Sequence, residues 1–515
     1  MKTCKKFASV LLALVMIFTL ATTAFAATVT LPGDDTILKD HSFTAYQIFA
    51  GDEADGVLSN VTWGGGIDSA AFLAALKADT TYGEKFIDCD SAAKVAEALG
   101  ANNTEALAKA VAQIAYDNKT GSGTALTAGD NTLADGYYLI VDTTENVAEG
   151  SAYNAALLQV VGDVDITVKT DAPSVEKKVK DADDTAGTTT GWQDSADHDI
   201  GDDVPFQLTA ALPNNVSAYD TYKLIFHDTL SKGLRYNGDA KVYVNGTETN
   251  GFEVEPSTNS ETGVTTLTIS CNNVKAENVG AGDGAVITVE YTAELTTDAE
   301  IGAAGNPNEV YLEYSNNPNK SGEGTTPKDI VIVFTYKTVI DKVTKNPDYD
   351  PDDPNSQEYL PLTGAAFKLE KLIKGVNGAE DAWELVKDFT VEGQENTETS
   401  FVFTGLDDGT YKLTETVTPA GYNTIDPITF TISATHTEGD APELTGLNGE
   451  KVSGEITFTP NTADGSLSAD VVNNAGTTLP ETGGIGTTIF YAVGGILVLA
   501  AVVLLVTKKR MSAKD

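Results

Sequence analysis

Cysteine and histidine, the residues that most often build disulfides, metal sites and nucleophilic centres, are scarce in this chain. Its 515 residues include three cysteines and four histidines. Cys4 lies in an apolar N-terminal leader, and Cys89 and Cys271 are too far apart to suggest a disulfide framework. The histidines neither cluster nor show metal-ligand spacing, and the sequence has no glycine-rich phosphate loop or nucleophile elbow. We therefore predict no metal and no cofactor, and find no catalytic constellation of a secreted enzyme.

Positive charge is also scarce. The chain has 33 lysines and arginines against 75 aspartates and glutamates, a formal net charge of −42, and because both ends are basic the part between them carries about −48. Such a chain is a poor partner for nucleic acid or an anionic membrane surface. The acids are scattered, which indicates a solvated exterior. One acidic run, residues 348–353, lacks EF-hand spacing, so a solvated loop is a better interpretation of it than a calcium site.

The N-terminus has the three parts of a secretory signal peptide. Lys2, Lys5 and Lys6 are followed by an almost purely apolar run over residues 7–20, and a small-x-small motif ends at Ala26. The apolar run is short for a membrane helix and leads into a cleavage motif. We expect cleavage after Ala26.

The C-terminus combines a short motif, an apolar run and a basic tail. The motif consists of Leu479, Pro480, Glu481, Thr482 and Gly483. Residues 485–506 then carry no charge, and at about 1.5 Å per residue they span a hydrocarbon core of about 30 Å. Four basic residues follow, which favours a cytoplasmic tail. A plain tail anchor is the alternative. Residues 360–364 match the same five-residue pattern, but without an apolar run they are interpreted as a loop leading into a strand.

This order resembles the cell-wall sorting signal of Gram-positive surface proteins. The resemblance implies that a sortase cysteine attacks the carbonyl of Thr482, releases Gly483 and passes Thr482 to an amine.

Between the two ends the sequence favours tandem β-sandwiches. Short alternating runs such as residues 286–291 and 456–458 are separated by turn residues, whereas residues 69–115 have the composition of one to three helices. Gly-x-Tyr segments at residues 136–138 and 409–411 each indicate a turn entering a strand. We predict an all-β fold of tandem immunoglobulin-like sandwiches with some helix in the N-terminal domain. The predicted segments are a signal peptide over 1–26, domains over 27–168, 169–327 and 328–478, and a sorting signal with a transmembrane helix over 479–515.

The third domain resembles the collagen-adhesin B-type module, through residues 361–369 and an E-box at residues 411–422. The resemblance implies an intramolecular isopeptide bond between Lys342 and Asn473, promoted by Glu415. Lys342 also continues an inward-facing alternation, where a charged amine is expensive to bury. An ordinary ion pair between Lys342 and Glu415 is the alternative.

The second domain resembles the fimbrial isopeptide-forming module, through residues 176–179, 200–202, 228–231 and 308–316. The resemblance implies a bond from Lys177 to Asn308 with Asp228 as the buried acid. Lys177 shares a strand face with Val175 and Val179, whereas Lys178 points to the other side. The choice of asparagine stays open, and the alternatives are Asn306, Asn316 and Asn317.

The chemistry of such bonds follows from burial. Burial lowers the pKa of a lysine and raises that of a carboxyl group. A neutral amine then attacks the asparagine side-chain carbonyl, the protonated acid polarises that carbonyl, and ammonia leaves. The fold replaces an external enzyme because it holds the reactants at high effective molarity. Each crosslink would restrain the unfolded chain as a disulfide does.

Residues 164–169 resemble the pilin motif of sortase-assembled pili, with Lys169 at the acceptor position. The sequence departs from that motif at Val160, Thr167, Val168 and Thr170, so Lys178 and Lys180 remain alternatives.

Together these features resemble the major subunit of a sortase-assembled Gram-positive pilus. The resemblance implies a non-enzymatic shaft subunit that forms a covalent homopolymer on the cell surface and supports adhesion. A class C pilus sortase would join Thr482 of one subunit to Lys169 of the next, and a housekeeping sortase would attach the fibre to peptidoglycan, with tip and base pilins as further partners. A monomeric wall-anchored adhesin or minor pilin is the alternative, and residues 27–168 offer the only region for a dedicated binding domain.

Overall fold

The computed structural model describes residues 27–33, 38, 40–54, 57–160, 164–376, 378–391, 396–477 and 485–511. Strands dominate these residues, and they form a succession of sheet-on-sheet units followed by one long C-terminal helix. The predicted tandem all-β architecture is therefore confirmed. The leader and the five-residue motif at 479–483 lie outside the described residues.

The first domain packs three helices against one of two sheets. The helices lie within the region where helix was expected, and two of them begin at side-chain caps, Asp68 and Thr104. Helix residues such as Phe72 and Val111 form one apolar core with the larger sheet, and a second core lies between the two sheets. The strands are Ala27–Leu31 (β1), Phe43–Ala54 (β2), Val57–Trp63 (β3), Thr124–Leu126 (β4), Gly129–Leu133 (β5), Gly136–Asp142 (β6), Leu157–Val160 (β7) and Val164–Asp165 (β8). The helices are Ser69–Ala78 (α1), Ala92–Ala101 (α2) and Glu105–Asp117 (α3).

The second domain is a two-sheet sandwich built on strict alternation. In strand β20 every second residue from Ile287 to Leu295 is buried, and the same period continues in the strands on both sides. The strands are Ser174–Val179 (β9), Ala182–Asp183 (β10), Thr188–Thr189 (β11), Ser195–Asp197 (β12), Asp203–Ala211 (β13), Leu224–Leu230 (β14), Leu234–Tyr236 (β15), Lys241–Val244 (β16), Thr247–Thr249 (β17), Glu253–Thr258 (β18), Thr265–Cys271 (β19), Val286–Leu295 (β20), Asn306–Ser315 (β21), Glu323–Thr325 (β22) and Asp329–Phe334 (β23). One sheet has the order β12-β23-β21-β14-β19-β18 and the other β17-β16-β20-β13-β9.

The third domain is a smaller sandwich of two five-stranded sheets. Its strands are Tyr336–Lys345 (β24), Tyr359–Pro361 (β25), Ala366–Ile373 (β26), Ala382–Asp388 (β27), Ser400–Leu406 (β28), Gly409–Val417 (β29), Ile428–His436 (β30), Leu444–Ser453 (β31), Thr459–Asn461 (β32) and Ser466–Asn473 (β33). The first sheet has the order β25-β24-β33-β32 with β28 beside β24, and the second has the order β27-β26-β29-β30-β31. Strands β24 and β33, the first and last of the domain, run parallel as neighbours.

Two details differ from the sequence interpretation. Residues 456–458 are not a strand but part of the connection between β31 and β32, where Ile456 and Phe458 contribute to the core. The apolar residues alternate here because the loop turns every second side chain, Ile456 and Phe458, toward the core. The predicted boundary at 327/328 falls before β23, the strand that pairs with β21 and completes a sheet of the second domain. The chain enters the third domain at Tyr336, two residues after β23 ends.

The C-terminal helix Ile485–Met511 (α4) is long and apolar enough to cross a membrane. Its span over Ile489–Lys509 has a mean hydropathy of 2.8, and the span is not buried against the rest of the chain. This agrees with the transmembrane segment expected from the sequence.

The joint between the first two domains is held mainly by hydrogen bonds between neutral groups, and one exposed ion pair, Lys109 with Asp220 at 3.6 Å, also crosses it. The Tyr153 amide donates to the Asn316 carbonyl at 2.7 Å, and the Asn319 side chain bonds both Ala156 and Asn154. The Tyr314 hydroxyl also donates to the Ser151 carbonyl at 2.9 Å.

The joint between the second and third domains is instead strongly acidic. Residues 181–202 of the second domain pack against residues 371–374, 405–410 and 436–439 of the third. Gly405 permits the close approach, because it has a φ of +77° and a Cβ there would lie 2.6 Å from the side chain of Ile200.

Candidate isopeptide centres and the acceptor lysine

The second domain buries Lys177 completely, as its position on β9 predicts. Val179 on the same face is also buried, and Val175 is half-buried. The lysine Nζ is hydrogen-bonded to Asp228 Oδ1, and both side chains are fully buried. Burial lowers the pKa of Lys177, although the neighbouring charge of Asp228 acts in the opposite direction.

Asp228 and Asn308 come from two neighbouring strands of the opposite sheet. Strands β14 and β21 are antiparallel, with Leu230 opposite Asn308 and Asp228 two residues away on the same inward face. A bond from Lys177 on β9 to Asn308 on β21 would therefore join the two sheets through the core.

Tyr291 completes this centre, and sequence reasoning missed it. Its hydroxyl donates to Asp228 Oδ2 at 2.5 Å and accepts from Asn308 Nδ2 at 2.7 Å and from Lys177 Nζ at 3.1 Å. The tyrosine thus contacts the acid, the amine and the amide at once. Burial raises the pKa of Tyr291 well above its usual value, so the hydroxyl keeps its proton.

The structure distinguishes Asn308 from the three alternative asparagines. Both polar atoms of the Asn306 side chain are bonded to the backbone, at Glu300 and Val333. Asn316 and Asn317 follow the end of β21, and the Asn316 carbonyl accepts a hydrogen bond from the first domain. Only Asn308 among these four is hydrogen-bonded within the centre around Lys177, and its Oδ1 is buried without a partner among the described residues.

The third domain contains a similar centre built from Lys342, Asn473 and Glu415. Lys342 Nζ lies 2.5 Å from Asn473 Oδ1 and 3.8 Å from Glu415 Oε1, and Asn473 Nδ2 donates to Glu415 Oε1 at 2.9 Å. The lysine and asparagine stand on the neighbouring strands β24 and β33, whereas the glutamate comes from β29 in the opposite sheet. Glu415 Oε2 is fixed by the hydroxyl of Thr418 and the amide of Ile425.

Burial also favours the neutral, nucleophilic form of the lysine amine in this second centre. It lowers the pKa of Lys342 to about 8, against the opposing charge of Glu415. The amine is therefore partly neutral near neutral pH and within hydrogen-bond distance of the carbonyl that it would attack.

A third buried lysine, Lys371 on β26, has its pKa shifted in the opposite direction. Its Nζ is bonded to Asp407 Oδ1, to Asp199 Oδ2 at 2.6 Å and to Asp184 Oδ2 at 3.1 Å. Burial would lower its pKa, but the charges of Asp407 and Asp199 outweigh burial and raise the pKa. Lys371 therefore stays an ammonium ion, which cannot act as a nucleophile, and it ties the third domain to the second.

The predicted acceptor Lys169 is exposed at the end of the first domain. Residues Val164, Ile166 and Val168 pack toward the core, and Lys169 follows them on the surface. Its backbone is fixed on both sides, because its amide donates to Asn154 Oδ1 at 2.7 Å and its carbonyl accepts from Asn215. Among the described residues, none bonds its Nζ.

The alternative acceptors are less available. Lys178 Nζ is paired with Asp194 at 2.5 Å and with Glu176 at 3.2 Å, and its side chain is only one quarter exposed. Lys180 Nζ lies 4.5 Å above the ring of Trp192.

An arrangement of Ser151, His41 and Asp142 in the first domain has the connectivity of a hydrolytic triad. His41 Nδ1 lies 2.8 Å from Asp142 and Nε2 lies 3.2 Å from Ser151 Oγ. The amides of Ser151, Ala152 and Gly150 all donate to backbone carbonyls, so none is left to bind an oxyanion. The arrangement is thus suited to fixing the loop after β6 rather than to acyl transfer.

The acidic run at residues 348–353 forms an exposed loop. The amides of Asp348 and Asp352 bond the side chains of Asn346 and Asp350 in local turns. Within the part of the chain that the structure describes, the groups of potential metal ligands lie at the acidic joint and not in this loop.

Comparisons with known proteins match three stretches of the chain. The Gram-positive pilin backbone subunit 2, Cna-B-like domain, matches residues 200–318, the Prealbumin-like fold domain matches residues 353–442, and the LPXTG cell wall anchor motif matches residues 471–512. The Trypsin-resistant surface T6 protein of Streptococcus pyogenes is 24% identical over 392 residues, which are 66% of this chain and 70% of that protein. The chain thus carries the pilin backbone domain and the cell wall anchor of a shaft subunit of a sortase-polymerised pilus.

Two solved pilin structures are also similar to this chain. The T6 backbone pilin of serotype M6 Streptococcus pyogenes has 17% identity and a TM-score of 0.49, covering 89% of this chain and 100% of that one. The major pilin SpaD of Corynebacterium diphtheriae has 14% identity and a TM-score of 0.47, with the same coverages. The wall anchor and the pilin domain make the pilin a secreted, sortase-processed shaft subunit at the cell wall.

Proposed function

We propose that the pilin polymerises through an amide bond between Thr482 of one subunit and Lys169 of the next. The observation that carries this proposal is the combination of a free, exposed ammonium with a fixed backbone at Lys169. A sortase active site must receive the amine, so an acceptor cannot be held by carboxylates, as Lys178 is. A fixed backbone reduces the entropy lost when the amine is positioned for attack.

The enzymes and subunits that would act with the pilin follow from the same chemistry. A pilus sortase of class C would form an acyl-enzyme at Thr482 and release the segment that begins at Gly483. The Lys169 amine would then displace the sortase cysteine, which regains its proton. A housekeeping sortase would transfer the final subunit to a peptidoglycan amine, and tip and base pilins would complete the fibre.

Lys169→Ala should abolish the covalent polymer. In boiled cell-wall extracts of cells that express the pilus sortase, the wild-type pilin should give a high-mass ladder in an immunoblot. The Lys169→Ala pilin should give only monomer, while the matched control Lys178→Ala should retain the ladder. A ladder that persists in Lys169→Ala and disappears in Lys178→Ala would assign the acceptor to Lys178. A wild-type pilin without any ladder would favour a monomeric adhesin.

We also propose an intramolecular isopeptide bond in each of the second and third domains. In each case the neutral lysine Nζ attacks the asparagine Cγ, the new C–N bond forms, and the C–Nδ2 bond breaks. The proton lost by the amine passes through the buried acid to the departing nitrogen, which leaves as ammonia. The pairs are Lys177 with Asn308 and Lys342 with Asn473, with Asp228 and Glu415 as the acids. The hydrogen bonds of both centres support this assignment.

Tyr291 should control the rate of bond formation in the second domain. Its hydroxyl stands between Asp228 and the amide nitrogen that leaves as ammonia, so it can pass the proton between them. Tyr291→Phe keeps the ring but removes this path, and we expect ammonia loss to slow by about 100-fold or more.

The measurement is the intact mass of newly synthesised protein as a function of time. Tyr236→Phe is the control, because Tyr236 packs edge-on against the Tyr291 ring and, among the described residues, its hydroxyl bonds only the Ala240 amide, from which it accepts. Equal rates in Tyr291→Phe and the wild type would contradict a relay role.

A further inference from the structure

The acidic joint contains a group of three side chains with the composition of a metal site. Asp181, Asp197 and His436 each offer one ligand atom, and these atoms lie within 4.8 Å of one another. Asp181 and Asp197 belong to the second domain, and His436 ends strand β30 of the third. No sequence motif connects them, because more than two hundred residues separate the aspartates from the histidine.

The hydrogen bonds of His436 leave one ring nitrogen facing the two carboxylates. Ser195 Oγ lies 2.6 Å from His436 Nδ1, 2.9 Å from the Thr437 carbonyl and 3.3 Å from a Glu438 carboxylate oxygen. The hydroxyl has a single proton, and two oxygens that can only accept compete for it. The imidazole Nδ1 is therefore the donor to Ser195, as is common when the other nitrogen binds a metal.

The distances also leave room for an ion between these groups. His436 Nε2 lies 3.6 Å from Asp197 Oδ1 and 3.9 Å from Asp181 Oδ2, which is too long for a hydrogen bond. Ligand atoms at about 2.1 Å from a tetrahedral Zn²⁺ ion are roughly 3.4 Å apart, close to the spacing seen here.

A separate observation points to a missing ligand at the same place. The Tyr336 hydroxyl is fully buried beside Asp197 and makes no hydrogen bond of ordinary geometry to any described residue. Asp408 Oδ1, also buried, has no partner either, although the Asp408 amide holds Asp197 Oδ2 at 3.2 Å. Buried polar atoms of this kind are usually satisfied by water or an ion.

We propose that Asp181, Asp197 and His436 bind a divalent transition-metal ion of the Zn²⁺ class across the joint between the second and third domains. Three protein ligands leave a fourth position for water, which Tyr336 and Asp408 would hold. An imidazole ligand favours Zn²⁺ over Ca²⁺, which prefers oxygen ligands. The neighbouring carboxylates of Asp184, Asp199 and Asp407 differ, because the ammonium of Lys371 already lies among them. The side chains of His436 and Asp181 are 13% and 14% exposed, so an ion can enter.

The test is a calorimetric titration of Zn²⁺ into the metal-free mature chain, from Ala27 to Thr482. We expect one strong site per chain and slower proteolysis of the joint when Zn²⁺ is bound. Co²⁺ should give the visible absorption of a four-coordinate site. His436→Gln should weaken Zn²⁺ binding by more than about 100-fold, and Ser195→Ala by about 10–100-fold, the usual effect of losing an outer hydrogen bond.

His227→Gln is the matched control. This histidine also faces a carboxylate, with Nε2 at 3.3 Å from Glu313, but it lies away from the joint and should leave the affinity unchanged. Asp181→Asn provides a second variant if His436→Gln does not fold, and it should also weaken binding. No saturable Zn²⁺ binding, or binding that is equal in His436→Gln, would overturn the proposal. Tighter binding of Ca²⁺ than of Zn²⁺ would also overturn it.

Discussion

Asn308→Ala and Asn473→Ala should each restore the mass of one ammonia molecule to the mature chain and remove much of its stability. The wild-type chain is expected to lack two ammonia molecules, and the double variant none. Each asparagine is the proposed electrophile of its centre, and each is completely buried beside its lysine and acid. Alanine removes the reacting carbonyl but leaves the lysine and its carboxylate partner in place, so the fold itself should survive.

The loss of stability follows from the size of the loops. Lys177 and Asn308, like Lys342 and Asn473, enclose more than one hundred residues. In the chain-entropy model, a crosslink that closes a loop of about 100 residues lowers the entropy of the unfolded chain. The free energy of unfolding rises by about 4.7 kcal/mol as a result. We expect each single variant to lose roughly that much, measured by denaturant unfolding of the mature chain, and to become sensitive to trypsin.

Asn306→Ala is the control for the second domain. Asn306 lies two residues before Asn308 on the same inward face of β21, but its side chain bonds the backbone of Glu300 and Val333. This variant should retain the full ammonia loss even if it is somewhat less stable. If the ammonia loss disappears in Asn306→Ala and persists in Asn308→Ala, the assignment of the electrophile is wrong.

The two lysines of the centres were accessible to sequence analysis because strands have a period of two. Lys342 and Lys177 each continue an apolar inward face, so their burial follows from the alternation alone. Their acids and asparagines came from the family resemblance, since spacing does not reveal which strands pair. The structure brings all six residues together in two groups.

Other residues of the sites escaped prediction for physical reasons. Tyr291 alternates inward like any core tyrosine, and only the meeting of two sheets shows that its hydroxyl contacts three polar groups. Lys371 lies on the same inward face of β26 as Phe367 and Leu369, so the alternation in the sequence already indicated a third buried lysine. Two of its three acids, Asp184 and Asp199, come from the preceding domain, and no local pattern encodes a contact between domains.

Lys371→Met should weaken the joint between the second and third domains. The lysine is 2% exposed, and its ammonium is the counter-ion of Asp407, which is fully buried, while it also pairs with Asp199 and Asp184. Removal of one member of a buried ion pair leaves an uncompensated charge and costs about 3–5 kcal/mol. We expect a loss of that size in the free energy of unfolding. Trp192 and Trp383 report on the two domains, so single-tryptophan variants should show their unfolding transitions moving apart.

Two further variants distinguish the buried charge from a general effect of losing a lysine. Lys374→Met removes an ion pair with Asp381 in which both side chains are at least 40% exposed, and it should cost less than about 1 kcal/mol. Lys371→Met combined with Asp407→Asn removes the fully buried negative charge as well, and should recover most of the lost stability. If Lys371→Met unfolds like Lys374→Met, the joint does not depend on this ion cluster. The expected result would mean that the shaft transmits load through a buried ammonium at this joint, whereas the proposed isopeptide bonds would close the second and third domains internally.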